Sequence, residues 1–457
     1  MVHTFTQGGH RIALDSASGA VHVLSELSYK ILQYLKPPLS PRCPTSLRYN
    51  LAMYTADDIN EAYGELYELY NEGMLFSEDM KLPGATTSPD AKYIPIKSMC
   101  LHIAHDCNMV CKYCFADTGD FKRKRSLMSL ETAKKAIDFL LEKSAGIKNL
   151  ELDFFGGEPL LNFDVVRETV KYGREREKEF GKNIRFTMTT NGTLLDDEKI
   201  DFINEHMSNV VLSIDGRKEV NDRIRTYMDG SGTYDDILPK YKKLVEKRTN
   251  GTYYVRGTYT RENLDFAKDV ISLADAGFDQ ISVEPVVLPY SDPLSIRPED
   301  IPRICEEYDT LTEEMIKRYR EGNAFNFFHF MVDLDAGPCV YKRMKGCGSG
   351  SEYVAVTPEG DVYPCHQFVE HTDYKLGSIF GGELDHARRS EFAGCNICTN
   401  PECEKCWAKY FCGGGCAANN YNFSKDIKVP YEIACELERK RVECALAIKA
   451  AIAEMDE

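Results

Sequence analysis

The chain has 457 residues, 43% of them hydrophobic and 28% charged, with 56 Lys and Arg against 72 Asp and Glu for a net charge of −16. That length suggests about three domains and an ample buried core, and the composition is that of a globular protein, neither disordered nor collagen-like. No apolar run approaches the ~18 to 20 residues of a membrane span, the N-terminus MVHTFTQGGHRIALD lacks an apolar signal core, and the negative charge repels a phosphate backbone, so the expectation is a cytoplasmic protein with no nucleic-acid or membrane partner.

Residues 1–85 predict three short strands near 3–7, 11–15 and 20–24. A helix follows from near Ser25 with Leu27, Ile31 and Leu35 on one face, and another runs from Thr55, with Asp58 three residues on, to Gly73. This reads as a winged-helix-like module. Without a basic recognition helix it does not fit DNA; an exposed strand edge accepts an extended peptide as an added strand, and a docking or dimerisation role is the alternative. The Pro- and Ser-containing stretch Leu82 to Pro95 predicts a linker at 86–95.

From 96 to 310, strand runs at 99–105, 149–155, 184–190, 209–215, 252–259 and 280–287 alternate with amphipathic helical patterns. In Ser129 to Lys143, for example, Ser129 caps and Ala133, Ile137, Leu140 and Leu141 form the buried stripe. Six βα units predict an α/β fold, a partial (β/α)6 TIM-like barrel, with chemistry at the carboxyl ends of its strands. The basic run Lys122 to Arg125 reads as a solvated loop. A bridging region at 311–340 leads to a C-terminal Cys-rich iron-sulfur domain at 341–457, made of Gly-rich loops and closed by a long helix from about Tyr431 to Glu454.

Seventeen cysteines without an export signal point to metal rather than disulfides. The first strand runs into Cys107, Cys111 and Cys114, a CxxxCxxC spacing on one loop. Three thiolates there hold three irons of a cubane cluster and leave the fourth open for a ligand; a zinc site short of one ligand and three chance cysteines are the alternatives. The next strands end in Gly156, Gly157, Glu158, Pro159, in Thr189, Thr190, Asn191, Gly192, and in Ser213, Ile214, Asp215, Gly216. Arg223 and Arg225 follow, and Arg256 and Glu284 lie on the last two strands. Glycines at such a strand end let backbone approach a ligand closely.

CxxxCxYC with Tyr113 in the aromatic place, followed by GGEP, TTNG and SIDG on successive strand ends, resembles the radical S-adenosylmethionine superfamily over residues 96–310. The resemblance implies that Cys107, Cys111 and Cys114 hold a 4Fe-4S cluster whose free iron binds the methionine end of S-adenosylmethionine. It further implies that Gly156, Gly157 and Glu158 accept the amino group, that Asn191, Ser213 and Arg225 approach ribose and carboxylate, and that the Tyr113 carbonyl meets the adenine. One electron from the reduced cluster would then yield a 5'-deoxyadenosyl radical, for which a low-potential electron donor is needed.

Downstream, Cys347, Cys365, Cys403, Cys406, Cys412, Cys416 and Cys435 resemble the SPASM extension, which carries two auxiliary 4Fe-4S clusters, three in all; a zinc-ribbon pair is the alternative. The resemblance assigns Cys403, Cys406, Cys412 and Cys435 to one cluster and Cys347, Cys365 and Cys416 to the other. Either Cys339 or a substrate thiolate completes the latter. Cys395 and Cys398 fall outside the pattern as structural or incidental, and Cys43, Cys100, Cys305 and Cys444 read as buried small apolar residues.

Taken with the N-terminal module, which resembles leader-peptide recognition elements, the arrangement resembles the thioether-forming maturases of cysteine-rich SCIFF peptides, the sactipeptide-like class. That implies a Cys-rich precursor peptide as substrate and a Cys-to-Thr or similar thioether as product, with two hydrogens lost. A sulfatase-type maturase oxidising Cys or Ser is the enzymatic alternative, and an iron-sulfur electron carrier or peptide scaffold the non-catalytic one.

Overall fold

A computed structural model describes residues 1–79, 90–334 and 344–456 of the chain. Strands β1 (Val2–Gln7), β2 (His10–Asp15) and β3 (Val21–Val23) form an antiparallel meander in that order. The helix Glu26–Leu32 starts where the Ser25 hydroxyl accepts the Ser28 N–H at 3.0 Å. The helix Ala56–Asn71 starts where the Thr55 hydroxyl accepts the Asp58 N–H at 3.1 Å. Each bond satisfies an amide that the first helical turn leaves unpaired. A third helix, Thr45–Asn50, lies between them and carries no side-chain cap, which is why its start has no signature in the sequence. Ala13, Ile31, Leu47, Ile59, Tyr63 and Leu66 form the core of this module.

The opposite face of the meander is also apolar. Phe5, Ile12 and Leu14 pack on Val442, Leu446 and Ala447 of the helix Glu432–Asp456, within two residues of its predicted bounds. At roughly 1.5 to 3 kcal/mol per fully buried large apolar side chain, this contact fixes the N-terminal module to the far end of the chain. Asp79 adds polar contacts there, accepting from Lys409 Nζ at 2.6 Å and the Tyr410 hydroxyl at 3.2 Å.

From residue 98 the chain runs through β4 (Ser98–His105), the short β5 (Met109–Cys111) and β6 (Ser126–Leu127), β7 (Asn149–Gly156), β8 (Asn183–Thr190), β9 (Asn209–Ser213), the short β10 (Arg225–Tyr227), β11 (Thr252–Tyr259), β12 (Gln280–Pro285) and β13 (Asn326–Phe327). The C-terminal region adds β14 (Tyr353–Val356), β15 (Asp361–Tyr363) and β16 (Gly377–Ser378). The main sheet has the order β13-β12-β11-β9-β8-β7-β4-β14-β15-β16, parallel from β13 to β14. β13 and β16 lie at opposite ends of that order, so the fold is α/β with an open, partial barrel. Along β7, Leu150, Leu152 and Phe154 are buried against helical residues such as Ile137, Leu140 and Val166, while Glu151, Asp153 and Phe155 alternate with them on the inner side.

The six long strands lie where the alternation of apolar runs places them. The Cys-dense region departs from the loop-only expectation, because β14 joins the barrel sheet in parallel beside β4, with Tyr353 opposite Ser98. Strands of two to four residues leave too short a pattern to read. The basic run is solvated at Lys122, Lys124 and Arg125, but Arg123 is drawn in. Arg123 Nη2 donates to the Tyr363 hydroxyl at 2.5 Å and the Val369 carbonyl at 2.7 Å, Lys122 pairs with Glu370 at 2.7 Å, and Arg125 pairs with Asp106. The Arg123 and Lys122 contacts strap the segment after Cys114 to β15 and to residues 369–370.

Residues 90–95, within the expected linker, are also docked: the buried Arg389 donates to the carbonyls of Ala91 at 3.0 Å, Ile94 at 3.0 Å and Ser351 at 2.7 Å. Residues 86–89 and Cys339 lie outside the described residues. The helix Ile301–Arg320 is continuous across residue 310. Cys100 and Cys444 are fully buried as expected, whereas Cys43 and Cys305 are only partly buried. No helix among the described residues is long and apolar enough to cross a membrane.

Candidate functional site

β4 delivers the chain to the carboxyl edge of the sheet, where Cys107, Cys111 and Cys114 follow within ten residues. Cys111 ends β5, which pairs with β10 and sets Arg225 opposite Cys111, and the Cys114 N–H bonds the Cys111 carbonyl at 3.0 Å in a tight turn. The GGEP glycines press against this loop. The Gly157 N–H donates to the Ala104 carbonyl at 2.8 Å and the Glu158 N–H to the Asp106 carbonyl at 2.9 Å, while a Cβ on Gly157 would collide with the Asp106 carbonyl oxygen. Gly156, at φ +129, occupies backbone space open to glycine. Before they face any ligand, these residues clamp the cysteine loop.

Glu158 is fully buried and couples two strand ends. Its carboxylate accepts from the Leu160 N–H at 3.0 Å, the Thr190 hydroxyl at 2.7 Å and the Asn191 N–H at 2.8 Å. Burial pushes its pKa up to about 7 against those donors. Asn191 Nδ2 lies 3.6 Å from Cys107 Sγ and 3.0 Å from Asn108 Oδ1. Arg225 donates to the Tyr113 hydroxyl at 2.8 Å, and that hydroxyl donates to Asp215 at 2.7 Å. Asp215 also accepts the Thr258 N–H at 3.0 Å, and burial raises it to about 6. Arg225 is itself buried, with its Nε unpartnered. The Ser213 carbonyl accepts the Tyr241 hydroxyl at 3.1 Å. One network thus joins the loop to all three strand-end motifs.

The donor set fits a cluster. Burial pushes the Cys107 and Cys114 thiols up to about 12 and raises Cys111, with Arg225 as the counter-influence on Cys111. As free thiols they are neutral; a bound metal is what draws three such groups to thiolate.

Near the C-terminus, Cys403, Cys406, Cys412 and Cys435 line one cavity of about 300 Å³ with Arg439 at its wall. The long C-terminal helix supplies Cys435, and the loop 403–412 supplies the rest. Cys365 lies within electrostatic reach of Cys347 and Cys416, so those three form a second set, separate from the first. Gly346, Gly348 and Gly413 to Gly415 surround Cys347. Cys395 Sγ points at the Glu391 carbonyl, 3.5 Å away, and the Cys398 N–H donates to Asn396 Oδ1 at 2.8 Å. Among the described residues no three metal-binding side chains converge on a single ion position.

Several site residues gave no signal in the sequence. His102 and His105 on β4 are both fully buried, with Nδ1 and Nε2 3.0 Å apart, on the side of the strand that faces Phe121. His366, beside Cys365, lies 5.4 Å from the Phe115 ring and 5.1 Å from Phe155, bridging the two cysteine regions. The neighbours that give these residues meaning come from distant strands.

Residues 101–283 match the radical SAM superfamily, and residues 347–407 match the SPASM iron-sulfur cluster-binding domain. An uncharacterized protein of Methanocaldococcus jannaschii is 30% identical over 48% of this chain and 71% of its own. The cysteine-type anaerobic sulfatase-maturating enzyme of Clostridium novyi is 24% identical over 69% of this chain and 86% of its own. Streptococcus suis SuiB, solved with its precursor peptide SuiA, shares the fold at a TM-score of 0.52 and 16% identity, over 94% of this chain and 97% of its own. The chain belongs to the radical SAM superfamily and carries a SPASM iron-sulfur cluster-binding domain.

Proposed function

We propose that this protein is a peptide maturase that removes a hydrogen from a residue of a Cys-rich ribosomal precursor peptide and joins that carbon to a cysteine sulfur. The observation that carries this reading is the placement of two further cysteine sets and a docked N-terminal module around the barrel that holds Cys107, Cys111 and Cys114. Those three hold a 4Fe-4S cluster, Cys403, Cys406, Cys412 and Cys435 a second, and Cys347, Cys365 and Cys416 a third. When bound, S-adenosylmethionine on the reduced first cluster supplies hydrogen-atom abstraction from carbon, and the auxiliary clusters supply an acceptor for the electron left over.

The chain's own residues do the rest. Gly156 to Glu158 and Asn191 hold the cysteine loop in place, and Arg225 with Asp215 fixes Tyr113. Ser213 offers its strand end to the nucleoside. The exposed edge of β3 takes the leader peptide as a fourth strand, and packing of the meander on the C-terminal helix holds that peptide at a set distance from the barrel. This reading calls for a low-potential electron donor to reduce the first cluster.

The test is reconstitution with iron, sulfide and S-adenosylmethionine, followed by incubation with a cysteine-rich precursor peptide, leader included. A loss of two hydrogens, with one thiol no longer open to alkylation and its sulfur retained, is expected. Similarity to sulfatase-maturating enzymes favours a second reading, oxidation of a Cys or Ser side chain to an aldehyde. An aldehyde product, with sulfur lost from Cys, would replace the first reading with the second.

A further inference from the structure

Arg256 and Glu284 lie on the adjacent parallel strands β11 and β12, with Arg256 in register with Ser282 and Thr258 with Glu284. Arg256 Nη2 donates to Glu284 Oε2 at 2.5 Å. His329, from the turn after β13, places Nε2 3.2 Å from Ser282 Oγ and 3.8 Å from Glu284 Oε1. An ion pair deep in a protein normally has its remaining donors and acceptors satisfied. Here the two side chains remain 45% and 35% accessible, because they face the open interior of the barrel. One of the five guanidinium donors goes to Glu284, and most of the others, with the free lone pairs of Glu284, are presented to that space.

The surrounding charges select the kind of ligand. Asp153, on the inner side of β7, adds a second carboxyl that Arg256 influences electrostatically; its oxygen accepts the Thr187 hydroxyl at 2.8 Å. Burial and Arg441 keep His329 neutral, pushed down to about 3. Arg256 is already paired with Glu284 and has Asp153 nearby, so it leaves no uncompensated cation for a carboxylate or phosphate ligand, while a neutral group with one donor and one acceptor matches the pair. The peptide unit is such a group. Glu284 also acts electrostatically on His366 and on Cys416, which places the pair between the barrel interior and the Cys347, Cys365 and Cys416 set. A base for the substrate thiol is a poor description of Glu284: burial would raise it, but Arg256, with His329 and Arg441, more than offsets burial, and it is held at about 2, far below a thiol at about 8.5.

We infer that Arg256 and Glu284 grip the main chain of the substrate peptide inside the barrel, Glu284 accepting one amide N–H and Arg256 donating to a neighbouring carbonyl. Resting on the maturase reading above, this makes them positioning residues: they set which peptide carbon meets the abstraction site, independently of the side chains around it.

The experiment is a main-chain N-methyl scan of the core of a cysteine-rich precursor peptide, with the reconstituted holoenzyme. Methylation at one position is expected to lower kcat/KM for modified peptide roughly tenfold or more, as loss of one charge-assisted hydrogen bond does. It should also raise the ratio of 5'-deoxyadenosine to product. The same N-methyl peptide should cost Glu284→Leu less than about twofold further, since leucine has no acceptor and the bond is already lost there. If no methylated position costs wild-type enzyme more than about twofold, the inference is overturned without reference to any variant. A full penalty persisting in Glu284→Leu, at wild-type iron content, overturns it as well. Failure of the maturase reading has a different signature: wild-type enzyme forms 5'-deoxyadenosine yet leaves the unmethylated peptide unchanged, and both proposals then fall.

Discussion

Arg225 stands opposite Cys111 across the β5–β10 ribbon, and its buried guanidinium donates to the Tyr113 hydroxyl at 2.8 Å. A cation in that position offsets the negative charge that three thiolates bring to the loop. Arg225→Leu should lower 5'-deoxyadenosine formation by roughly 10 to 100-fold, the range for a charge-assisted hydrogen bond, and Arg225→Lys should recover part of it. Turnover and equilibrium binding of S-adenosylmethionine provide the check. Wild-type values for the leucine variant would remove Arg225 from the site.

Gly157 touches the Asp106 carbonyl so closely that any Cβ displaces the cysteine loop. With the three clusters proposed above, Gly157→Ala should therefore cost the first and spare the other two, a loss of about four irons per reconstituted chain. Iron and sulfide analysis, paired with the visible spectrum, reads this directly. An unchanged iron count would show that the loop tolerates the shift.

Arg389 satisfies three buried carbonyls, on Ala91, Ile94 and Ser351, and so joins residues 90–94 to β14's approach and the helix His386–Ala393. Arg389→Ala strands those acceptors at about 1 to 3 kcal/mol each, reduced by whatever water enters. A loss of about 3 kcal/mol in urea unfolding is expected, with Arg389→Lys between the two. A loss below about 1 kcal/mol would mean that these carbonyls are solvated without the arginine.

Glu158 sets a pH dependence. Its carboxyl is fully buried and raised from 4.5 to about 7, so within that window the folded chain binds more protons than the unfolded one. Stability from this group therefore falls as pH rises from about 4.5 to 7 and is lowest above it. Between pH 5 and 8 the apoprotein should lose on the order of 2 kcal/mol more than Glu158→Gln does, by urea midpoints at each pH. Parallel pH profiles for the two proteins would refute it.

How far the chemistry could be read in advance differs from residue to residue. Cys107, Cys111 and Cys114 were legible because three donors on one loop are a local pattern, and so was Ser129 as a cap. Arg123, Arg389 and His329 were not: a basic residue on a loop and a histidine after a short strand look the same whether solvated or engaged. Their partners, Tyr363, Ser351 and Glu284, lie many residues away.

Local order follows from period, cap and spacing, all properties of adjacent residues, and these determined the six βα units, the two capped N-terminal helices and the cysteine sets. The position of β14 beside β4, the docking of the meander on the C-terminal helix, and the meeting of Arg256 with Glu284 inside an open barrel were decided only when the chain closed on itself. Such contacts depend on which surfaces bury apolar area together, a quantity no single stretch of sequence contains.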